Sequence, residues 1–432
     1  MTRVLVLGGY GFIGAEVLRA LHRAGFKVRA LGRDGRLGRR LSPEAEWIGA
    51  DISKLTQKES WRDYLSNVDI VVNAAGALQT GARDDLSRLQ DVAIRACIAA
   101  AEDYGASRFI QISAPGANEG ASTEFMTTKA NADAALRAST LEWVVFKPGL
   151  VIGANAYGGT ALMRMLAGFP FVEVLVHANA PVQTVAISDV AAAVVRVAKG
   201  EAPMRADYDL VEERPRTLRE SVRAMRAWMG VPPAKLKLSL PGWVGAIVGA
   251  GADIAGNLGW RSPLRTTALR VMGEGVTADP SAWQAVTGAP LKSLDETLAD
   301  IPATAQERIY AKVQLMTPVI VMSLAGFWAA SGVVGLMRAI PATELLTPHM
   351  PFALAISIVV AGSLVDIAIG AALLLRRTAR KAAVASAAVA SFYIIAATHF
   401  APQLWFDPLG VYMKVLPCII LSLTLAALLE ER

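Results

Sequence analysis

Residues 3–14 read RVLVLGGYGFIG, and this stretch decides the fold of the first part of the chain. An apolar run ends in a loop that contains Gly8, Gly11 and Gly14, an amphipathic run follows to about Ala24, and a second apolar run, KVRAL, comes next. This succession predicts strand, loop, helix and strand. In that context the glycines predict a loop that holds a pyrophosphate at the positive end of a helix.

Further apolar strands alternate with helical segments along the next part of the chain. The strand-like runs are AEWIGADI, VDIVVNAAG, SRFIQISA and LEWVVFKPGLVIG. Strands at this spacing favour an α/β fold with a doubly wound parallel sheet of the Rossmann type.

The residues after the second strand indicate which dinucleotide fits. An NAD site usually places a carboxylate there, where it binds the ribose 2′-hydroxyl. Here Gly32 and Arg33 stand in that place, and three more arginines follow before Leu41. Because arginine matches a 2′-phosphate with a charged planar fork, the sequence favours NADP(H). Asp34, one residue further on, keeps NAD(H) open, and a solvated basic loop is the alternative reading of the arginines.

The last quarter of the chain is strongly apolar. Of the 432 residues, 53% are hydrophobic and 19% are charged, whereas soluble globular proteins carry about 25% charged residues. The shortage is concentrated in four segments, 313–337, 352–375, 382–398 and 408–429. Asp366 and Lys414 are their only charged residues. Since a membrane span needs roughly 20 apolar residues, we predict an all-α bundle of four transmembrane helices.

A basic cluster between the second and third segments orients the predicted spans. It consists of Arg376, Arg377, Arg380 and Lys381. Basic loops are retained in the cytoplasm, so the residues before 313 and the C-terminal EER are expected there too. The first strand follows the initial Met1 without a signal peptide, which agrees. We therefore expect a multi-pass protein of the inner (cell) membrane, with its front domain and C-terminus cytoplasmic.

The cysteines, the histidines and the net charge indicate which ligands and partners to expect. Cys97 falls in a predicted helix and Cys418 in a predicted span, so no disulfide is expected. The four histidines have no metal-ligand spacing, and we predict no metal site. A net charge of +6 suits an anionic membrane surface. The lipid bilayer is therefore the expected partner, and nucleic acid is not.

Seven segments in order carry a family resemblance: GGYGFIG, ADIS, NAAG, QISAPG, the segment around Lys129, FKPGLVIG and PVQTVAISDVAAAV. Over about residues 3–300 the chain resembles the extended and atypical short-chain dehydrogenases/reductases. The resemblance is strongest to the branch that contains the NADPH-binding accessory subunit of respiratory complex I. Through GSLVDIAIGAALLL and WFDPLGVYMKVLP, the tail resembles DoxX-like four-helix membrane domains.

Together these features predict three regions. Residues 1–237 are expected to form an NAD(P)-binding Rossmann domain with elements of a substrate subdomain, and 312–432 a DoxX-like four-span domain. Residues 238–311 are expected to be a substrate-subdomain lid and linker. Within them, 238–260 are apolar, rich in glycine and bracketed by tryptophans. This stretch is either a lid that touches the bilayer or a loosely packed helix.

The resemblance implies cofactor-binding positions along the front domain. The pyrophosphate would be held by Gly8, Tyr10, Gly11, Phe12 and Ile13, and the 2′-phosphate by Arg33. Asp51 and Ile52 would flank the adenine, and Ala74, Ala75 and Gly76 would line the cofactor cleft. Lys129 would bind the nicotinamide ribose, and Pro148 would lie near the nicotinamide.

The stretch TEFMTTK, residues 123–129, resembles a Tyr-x-x-x-Lys site in which Phe125 replaces the tyrosine. In the family, tyrosine protonates the alkoxide left by hydride transfer, and the lysine lowers its pKa. Lys129 keeps its place, and Ser113 suits the family serine that polarises a substrate carbonyl. Phenylalanine has no ionisable group and cannot take over this role.

Three explanations for Phe125 stay open. Another donor serves, such as Ser122, Tyr157 or water; or the acceptor needs little acid help, as a quinone does; or the nucleotide is structural or sensed. The favoured reading is a membrane-anchored NAD(P)H-binding oxidoreductase acting on a hydrophobic carbonyl or quinone. The alternative is a non-catalytic NADPH-binding scaffold or redox sensor. A membrane-protein partner is compatible with both.

Asp366 lies deep in the second predicted span. A carboxylate at that depth is costly and usually faces the inside of a bundle. Tyr393 and Ser391, at similar depth in the third span, are its expected hydrogen-bond partners. The group is read either as a proton or quinone site or as a polar contact between helices.

The predicted orientation is open to a direct test in a bacterial host. Green fluorescent protein fused after Arg432 should be fluorescent, because the C-terminus is expected in the cytoplasm, and alkaline phosphatase at the same place should be inactive. Alkaline phosphatase inserted after His349 should be active. An active phosphatase after Arg432 would contradict the four-span topology.

Overall fold

The computed structural model describes residues 2–81, 85–408 and 410–429. The chain divides into two compact units. The front unit comprises Met1–Ile254 and Ser262–Ala311, and the rear unit comprises Ala255–Arg261 and Lys312–Arg432. The three regions with boundaries at 237 and 311 stay a prediction.

The strands are short and lie in the front unit. They are β1 (Arg3–Leu7), β2 (Lys27–Gly32), β3 (Glu46–Gly49), β4 (Ile70–Asn73), β5 (Arg108–Ile112), β6 (Glu142–Pro148), β7 (Leu150–Ile152), β8 (Val172–Val176), β9 (Pro181–Val182), β10 (Thr184–Ala186), β11 (Ala206–Leu210), β12 (Arg216–Thr217) and β13 (Leu236–Leu240).

The helices alternate with these strands and then continue alone. They are α1 (Phe12–Arg23), α2 (Gly35–Leu41), α3 (Arg62–Leu65), α4 (Ala93–Asp103), α5 (Glu124–Ala138), α6 (Gly158–Ala167), α7 (Ile187–Ala198), α8 (Leu218–Trp228), α9 (Gly242–Asn257), α10 (Thr266–Glu274), α11 (Ser281–Thr287), α12 (Leu294–Ala299), α13 (Ala305–Met337), α14 (Ala339–Glu344), α15 (Phe352–Leu374), α16 (Arg376–Phe400) and α17 (Val415–Leu428).

Seven parallel strands form the main sheet, in the order β11-β6-β5-β4-β1-β2-β3. The strand order reverses between β1 and β4, and in such sheets ligands bind at this point, outside the carboxyl ends of the strands. The predicted doubly wound α/β fold is confirmed. Three two-stranded sheets, β7 with β10, β8 with β13 and β9 with β12, complete the front unit.

The central strands are apolar throughout because both faces of the sheet are covered. On β1, Val4 and Val6 belong to one buried cluster, and Leu5 and Leu7 belong to the other. Helices α1 and α7 contribute to the first cluster, and α4 contributes to the second. A strand buried on both faces loses the alternation of polar and apolar residues, which explains the run RVLVL.

Three described helices, α13, α15 and α16, are long and apolar enough to cross a membrane. The fourth predicted span is shorter than expected. Its helix, α17, has 14 residues and begins at Val415. Gly410 takes a left-handed conformation with φ +63°, so the helix starts after it rather than at 408.

The basic cluster is not in a loop. Helix α15 ends at Leu374 and α16 begins at Arg376, so the cluster occupies the first turns of the third long helix. The C-terminal EER, residues 430–432, lies outside the described residues.

Asp366 links three helices of the rear unit. Its carboxylate accepts hydrogen bonds from Ser331 on α13 at 2.8 Å and from Tyr393 on α16 at 2.9 Å. Tyr393 was predicted as a partner. Ser391 was also predicted, wrongly, because its hydroxyl donates to the Ala387 carbonyl of its own helix at 2.8 Å.

Candidate functional site

The glycine loop brings three elements together at the carboxyl end of β1. Gly8 has φ +74°, and a Cβ on it would lie 2.8 Å from the Cα of Ala75. A Cβ on Gly14 would lie 2.2 Å from the Gly8 carbonyl oxygen. Side chains at these two positions would push α1 and the loop after β4 away. The first turn of α1, with Phe12 and Ile13, therefore presents its N–H groups beside the loop.

At the end of β2, a ring fills the place where an NAD site usually has its acid. Gly32 is buried, and a Cβ there would lie 2.4 Å from the ring of Tyr10. That ring also stacks on Trp47, with ring centroids 5.9 Å apart. The neighbouring Arg33 is exposed. A carboxylate at residue 32 would not fit this packing.

Asp34 has a structural task of its own. Its carboxylate caps helix α2 and accepts from the N–H groups of Arg36 and Leu37 at 2.9 and 3.1 Å. These bonds, from Leu37 first and then Arg36, lower the pKa of Asp34. Asp51, after β3, caps a short helical turn in the same way. Its carboxylate accepts hydrogen bonds from the N–H and the hydroxyl of Ser53, and the neighbouring Ile52 is buried.

Two buried amides hold the wall of the cleft after β4. The Asn73 side chain accepts from the Ala75 N–H at 3.0 Å and donates to Gln111 on β5 at 2.9 Å. The predicted wall residues Ala74, Ala75 and Gly76 follow β4 directly. Their path is therefore fixed by side chains of the sheet itself.

Lys129 is buried at the centre of the site. Its Nζ donates to the Ile112 carbonyl, at the end of β5, at 2.8 Å. The same nitrogen lies 5.6 Å from the centre of the Phe125 ring. Burial lowers the pKa of Lys129 to about 8. The amine is therefore held at the end of β5, with an aromatic ring and no phenol beside it.

Ser113 is paired with a residue that the sequence reading missed. Its hydroxyl donates to a carboxylate oxygen of Asp133 at 2.5 Å, and both residues are buried. The other Asp133 oxygen is buried and has no hydrogen-bond partner. Burial raises the pKa of Asp133. Asp133 lies on α5 one turn after Lys129, so Phe125, Lys129 and Asp133 share one helix face.

A π-helical turn, Ser87–Val92, adds Gln90 to the same place. A Cβ on Gly76 would lie 2.9 Å from Gln90 Oε1 and 3.8 Å from Lys129 Nζ. Gln90 is buried and its Oε1 has no hydrogen-bond partner. Single π turns inside helices often occur at functional sites, and an unpaired buried oxygen suits a site that receives a polar ligand.

The structure separates the suggested proton donors. Ser122 is exposed and lies before the first residue of α5, so it is not on the Lys129 helix face. Tyr157 is 53% exposed, and its ring stacks on Phe12, the first residue of α1, with centroids 6.2 Å apart.

Pro148, the residue predicted near the nicotinamide, is buried at the carboxyl end of β6.

An open cleft of about 390 Å³ lies beside the start of α5. The segment between β5 and α5, including Pro115 and Ser122, forms one wall together with Met126 of α5. Helix α10 forms the other wall with Val271 and Glu274. The cleft therefore adjoins the helix that carries Lys129.

The glycine loop has the features of a pyrophosphate-binding loop. The glycines leave no room for side chains where the loop, α1 and the segment after β4 meet, and polar groups lie further along the same strand ends. Residues 8–200 match the model of an NAD(P)H-binding family. Residues 325–423 match the DoxX-like family. The chain joins an NAD(P)-binding Rossmann domain to a DoxX-like membrane domain.

Curated relatives cover parts of the chain. An uncharacterized chloroplastic protein of Arabidopsis thaliana is 29% identical over 174 residues, 39% of this chain and 57% of that protein. The chain therefore spans little more than half of that relative. A ceramide reductase of Caulobacter vibrioides is 24% identical over 257 residues, 58% of this chain and 78% of that enzyme.

Solved structures share the fold of the front unit. A Bordetella bronchiseptica enzyme in complex with NAD+ is 19% identical, with a TM-score of 0.52, over 72% of this chain and 99% of its own. An NADPH-dependent quinone oxidoreductase of Escherichia coli with NADPH is 16% identical, with a TM-score of 0.53, over 69% and 99%. The neighbours thus include both NAD and NADPH complexes.

The lowered pKa of Lys129 predicts a stability signature. The unfolded chain keeps this lysine protonated to about 10.5, whereas the folded chain releases the proton near 8. Between these values the unfolded state binds more protons, so stability should rise with pH, by about 3 kcal/mol in total. Below pH 8 the contribution is constant and unfavourable.

Lys129→Met should therefore unfold at a higher temperature than the wild type near pH 7, and the difference should shrink towards pH 10. Thermal unfolding of the purified full chain without nucleotide measures this. Lys129→Arg is the control, because it stays charged and should show no rise. If the unfolding temperatures of the wild type and Lys129→Met differed by the same amount at every pH, the lowered pKa of Lys129 would be contradicted.

Proposed function

We propose that this chain is a membrane-anchored, NADP(H)-dependent oxidoreductase that acts on a hydrophobic carbonyl or quinone. The buried group of Lys129, Ser113 and Asp133 is the observation that supports it most. Burying an amine and a carboxylate with one unpaired oxygen is costly. Such perturbed groups are typical of catalytic sites. A scaffold that only binds nucleotide could use Lys129, but it has no need of the Ser113–Asp133 pair.

The relatives support the choice of acceptor class. A ceramide reductase and an NADPH-dependent quinone oxidoreductase are both named for hydrophobic acceptors. A membrane domain on the same chain would keep the site close to such molecules. We place the protein in the inner (cell) membrane with the front unit in the cytoplasm, on the strength of the basic cluster that begins at Arg376.

In this proposal, the phosphate loop from Gly8 to Ile13 holds the pyrophosphate, and Arg33 binds the 2′-phosphate. Asp51 and Ile52 lie at the adenine, and Lys129 binds the nicotinamide ribose. Two observations support NADP(H): the Tyr10 ring excludes an acid at residue 32, and Asp34 is used to cap α2. When bound, NADPH would supply the hydride for the reduction.

This preference is tested by titrating NADPH and NADH into the purified chain. NADPH should bind more tightly, and Arg33→Asp should weaken NADPH binding about tenfold to a hundredfold, because one charge-assisted phosphate contact becomes a repulsion. Arg62→Asp, at an exposed arginine of α3, is the matched control and should change neither affinity. Equal affinities for NADPH and NADH in the wild type would contradict the assignment.

Proton supply is the step that Phe125 makes unusual. When Asp133 is ionised, the Ser113 hydroxyl donates to it and its hydrogen is not available to an acceptor. When Asp133 is protonated, it can donate to Ser113 Oγ, and Ser113 can then pass its own hydrogen to the acceptor oxygen. The acceptor gains one proton, Ser113 is restored, and Asp133 is left as the carboxylate. The raised pKa of Asp133 favours the protonated form.

The experiment is NADPH oxidation by the full chain with a long-chain aldehyde or decylubiquinone as acceptor. If the wild type is a reductase with an impaired acid, Phe125→Tyr should raise the aldehyde rate by up to about 10²–10⁴-fold, the range of general acid catalysis. Phe125→Leu is the control, since it adds no acid. NADPH affinity should be equal in all three proteins.

The Ser113–Asp133 route predicts its own pH profile. The wild-type aldehyde rate should fall as pH rises through the raised pKa of Asp133, because the carboxyl then loses the proton it supplies. Asp133→Asn should be slower and should lose that fall. A profile that is unchanged in Asp133→Asn would exclude the route.

The second candidate function is a nucleotide-binding scaffold or redox sensor, and the observation that favours it is Phe125 itself. If the wild type and Phe125→Tyr both bind NADPH tightly and neither oxidises it with aldehyde or quinone, this candidate replaces the enzyme. If the wild type reduces the quinone and Phe125→Tyr is no faster, the acceptor is one that needs little acid help.

A further inference from the structure

Helix α9 has its large apolar side chains on the outside. Trp243, Ile247 and Ile254 are 66%, 63% and 65% exposed, and they recur at helical spacing along one face. We call these three residues the apolar face of α9. The opposite face is lined by glycine, where Gly245 and Gly249 are buried. Ordinary surface helices of soluble proteins have the reverse arrangement.

The glycines seat the helix closely on the front unit. A Cβ on Gly249 would lie 2.8 Å from the Thr266 hydroxyl, and one on Gly245 would lie 3.0 Å from a methyl group of Val176. The backbone of the helix is therefore in close contact with the front unit. Its apolar face is exposed although the helix is firmly packed on its other side.

The only charged residue of the helix points away from that face. Asp253 accepts hydrogen bonds from Gln79 at 2.8 Å and from Arg265 at 3.0 Å. Its partners thus belong to the front unit. No Lys, Arg, Asp or Glu of residues 242–257 is left to solvate the outer surface.

The continuation of the helix leads to the end of a membrane span. Residues 255–261 belong to the rear unit. There the indole of Trp260 donates to the Leu374 carbonyl at 2.7 Å, at the last residue of α15, and the Arg376 N–H donates to the Leu258 carbonyl at 3.0 Å. The Arg376 guanidinium lies over the Trp260 ring at 5.8 Å. Tryptophan and arginine at a span end are typical of the membrane–water interface.

We infer that α9 lies in the interfacial layer of the bilayer, with its apolar face in the lipid. Its 16 residues reach only about 24 Å at 1.5 Å per residue, too short for a hydrocarbon core of about 30 Å, so the helix lies along the surface instead of crossing. A second copy of the chain is less suited as the occupant, because the adjoining segment is hydrogen-bonded to the end of α15, a helix long and apolar enough to cross a membrane.

The helix is also connected to the site. Gln79, which binds Asp253, follows Gly76 by three residues, and the Gly76 Cβ position is 3.8 Å from Lys129 Nζ. The contact with lipid would therefore reach the segment that borders Lys129. If the proposed function holds, a hydrophobic acceptor enters the cleft from the bilayer surface along α9. This entry route rests on the proposed function, whereas the lipid contact of α9 does not.

Spin labels test the lipid contact without any reaction. Cys418→Ala leaves Cys97, which is fully buried and does not react, and a single label is attached after Ile247→Cys. The full chain is reconstituted in vesicles of phosphatidylcholine and phosphatidylglycerol. Ile358→Cys, exposed on α15, is the lipid control, and Arg23→Cys, exposed on α1, is the aqueous control.

The label at 247 should collide with dissolved oxygen as the label at 358 does, and should be several-fold less accessible to a water-soluble nickel complex than the label at 23. Nickel accessibility equal to that at 23 would overturn the inference. Protection from both reagents, with spin–spin broadening that disappears on dilution with unlabelled chain, would assign the face to a second copy and would also overturn it.

Kinetics test the entry route. Ile247→Glu with Ile254→Glu should slow the reduction of a long-chain aldehyde dissolved in the vesicles several-fold and leave that of a short water-soluble aldehyde unchanged. The matched control is Ile247→Ala with Ile254→Ala. Equal losses for both aldehydes would overturn the route. If no aldehyde or quinone is reduced by the wild type, the proposed function fails, while the spin-label result still decides the lipid contact.

Discussion

The hydrogen bond from Lys129 Nζ to the Ile112 carbonyl ties helix α5 to the end of strand β5, and the arrangement of the site depends on it. Burial of the amine costs solvation, which the lowered pKa reports, and the carbonyl offsets part of that cost. With Lys129 fixed, the helix repeat places Phe125 one turn before it and Asp133 one turn after it. The same bond therefore positions a ring, an amine and a carboxyl along the strand ends.

Phe125 changes what the other groups of the site have to do. The ring keeps the shape of a phenol and its contact with Lys129, but it has no proton to give. The hydroxyl of Ser113 and the carboxyl of Asp133 are buried together within the same site. If the chain is the proposed reductase, this composition would favour acceptors that need modest acid help or that take their proton through Ser113.

Two further arrangements of polar and apolar groups are found in the rear unit and on helix α9. In the rear unit, Asp366 is satisfied by Ser331 and Tyr393, so that a carboxylate is retained between apolar helices. On α9 the order of a soluble helix is inverted, with glycine inside and large apolar residues outside. Both arrangements are understandable if the solvent next to them is lipid. The proposed hydrophobic acceptor is consistent with the proposed lipid contact of α9.

The sequence by itself determined the features that are encoded locally. The glycine loop after RVLVL, the alternation of strands and helices, the apolar spans and the four-residue spacing of Phe125 and Lys129 all depend on neighbours in the chain. The tertiary structure alone decided the rest. Asp133 resembles an ordinary surface acid one turn from a lysine until β5 brings Ser113, twenty residues away, against it. Tyr10 filling the space at Gly32 and α17 starting only after Gly410 are likewise invisible in composition. Burial and close approach arise from long-range packing, and periodicity reports only the local chain.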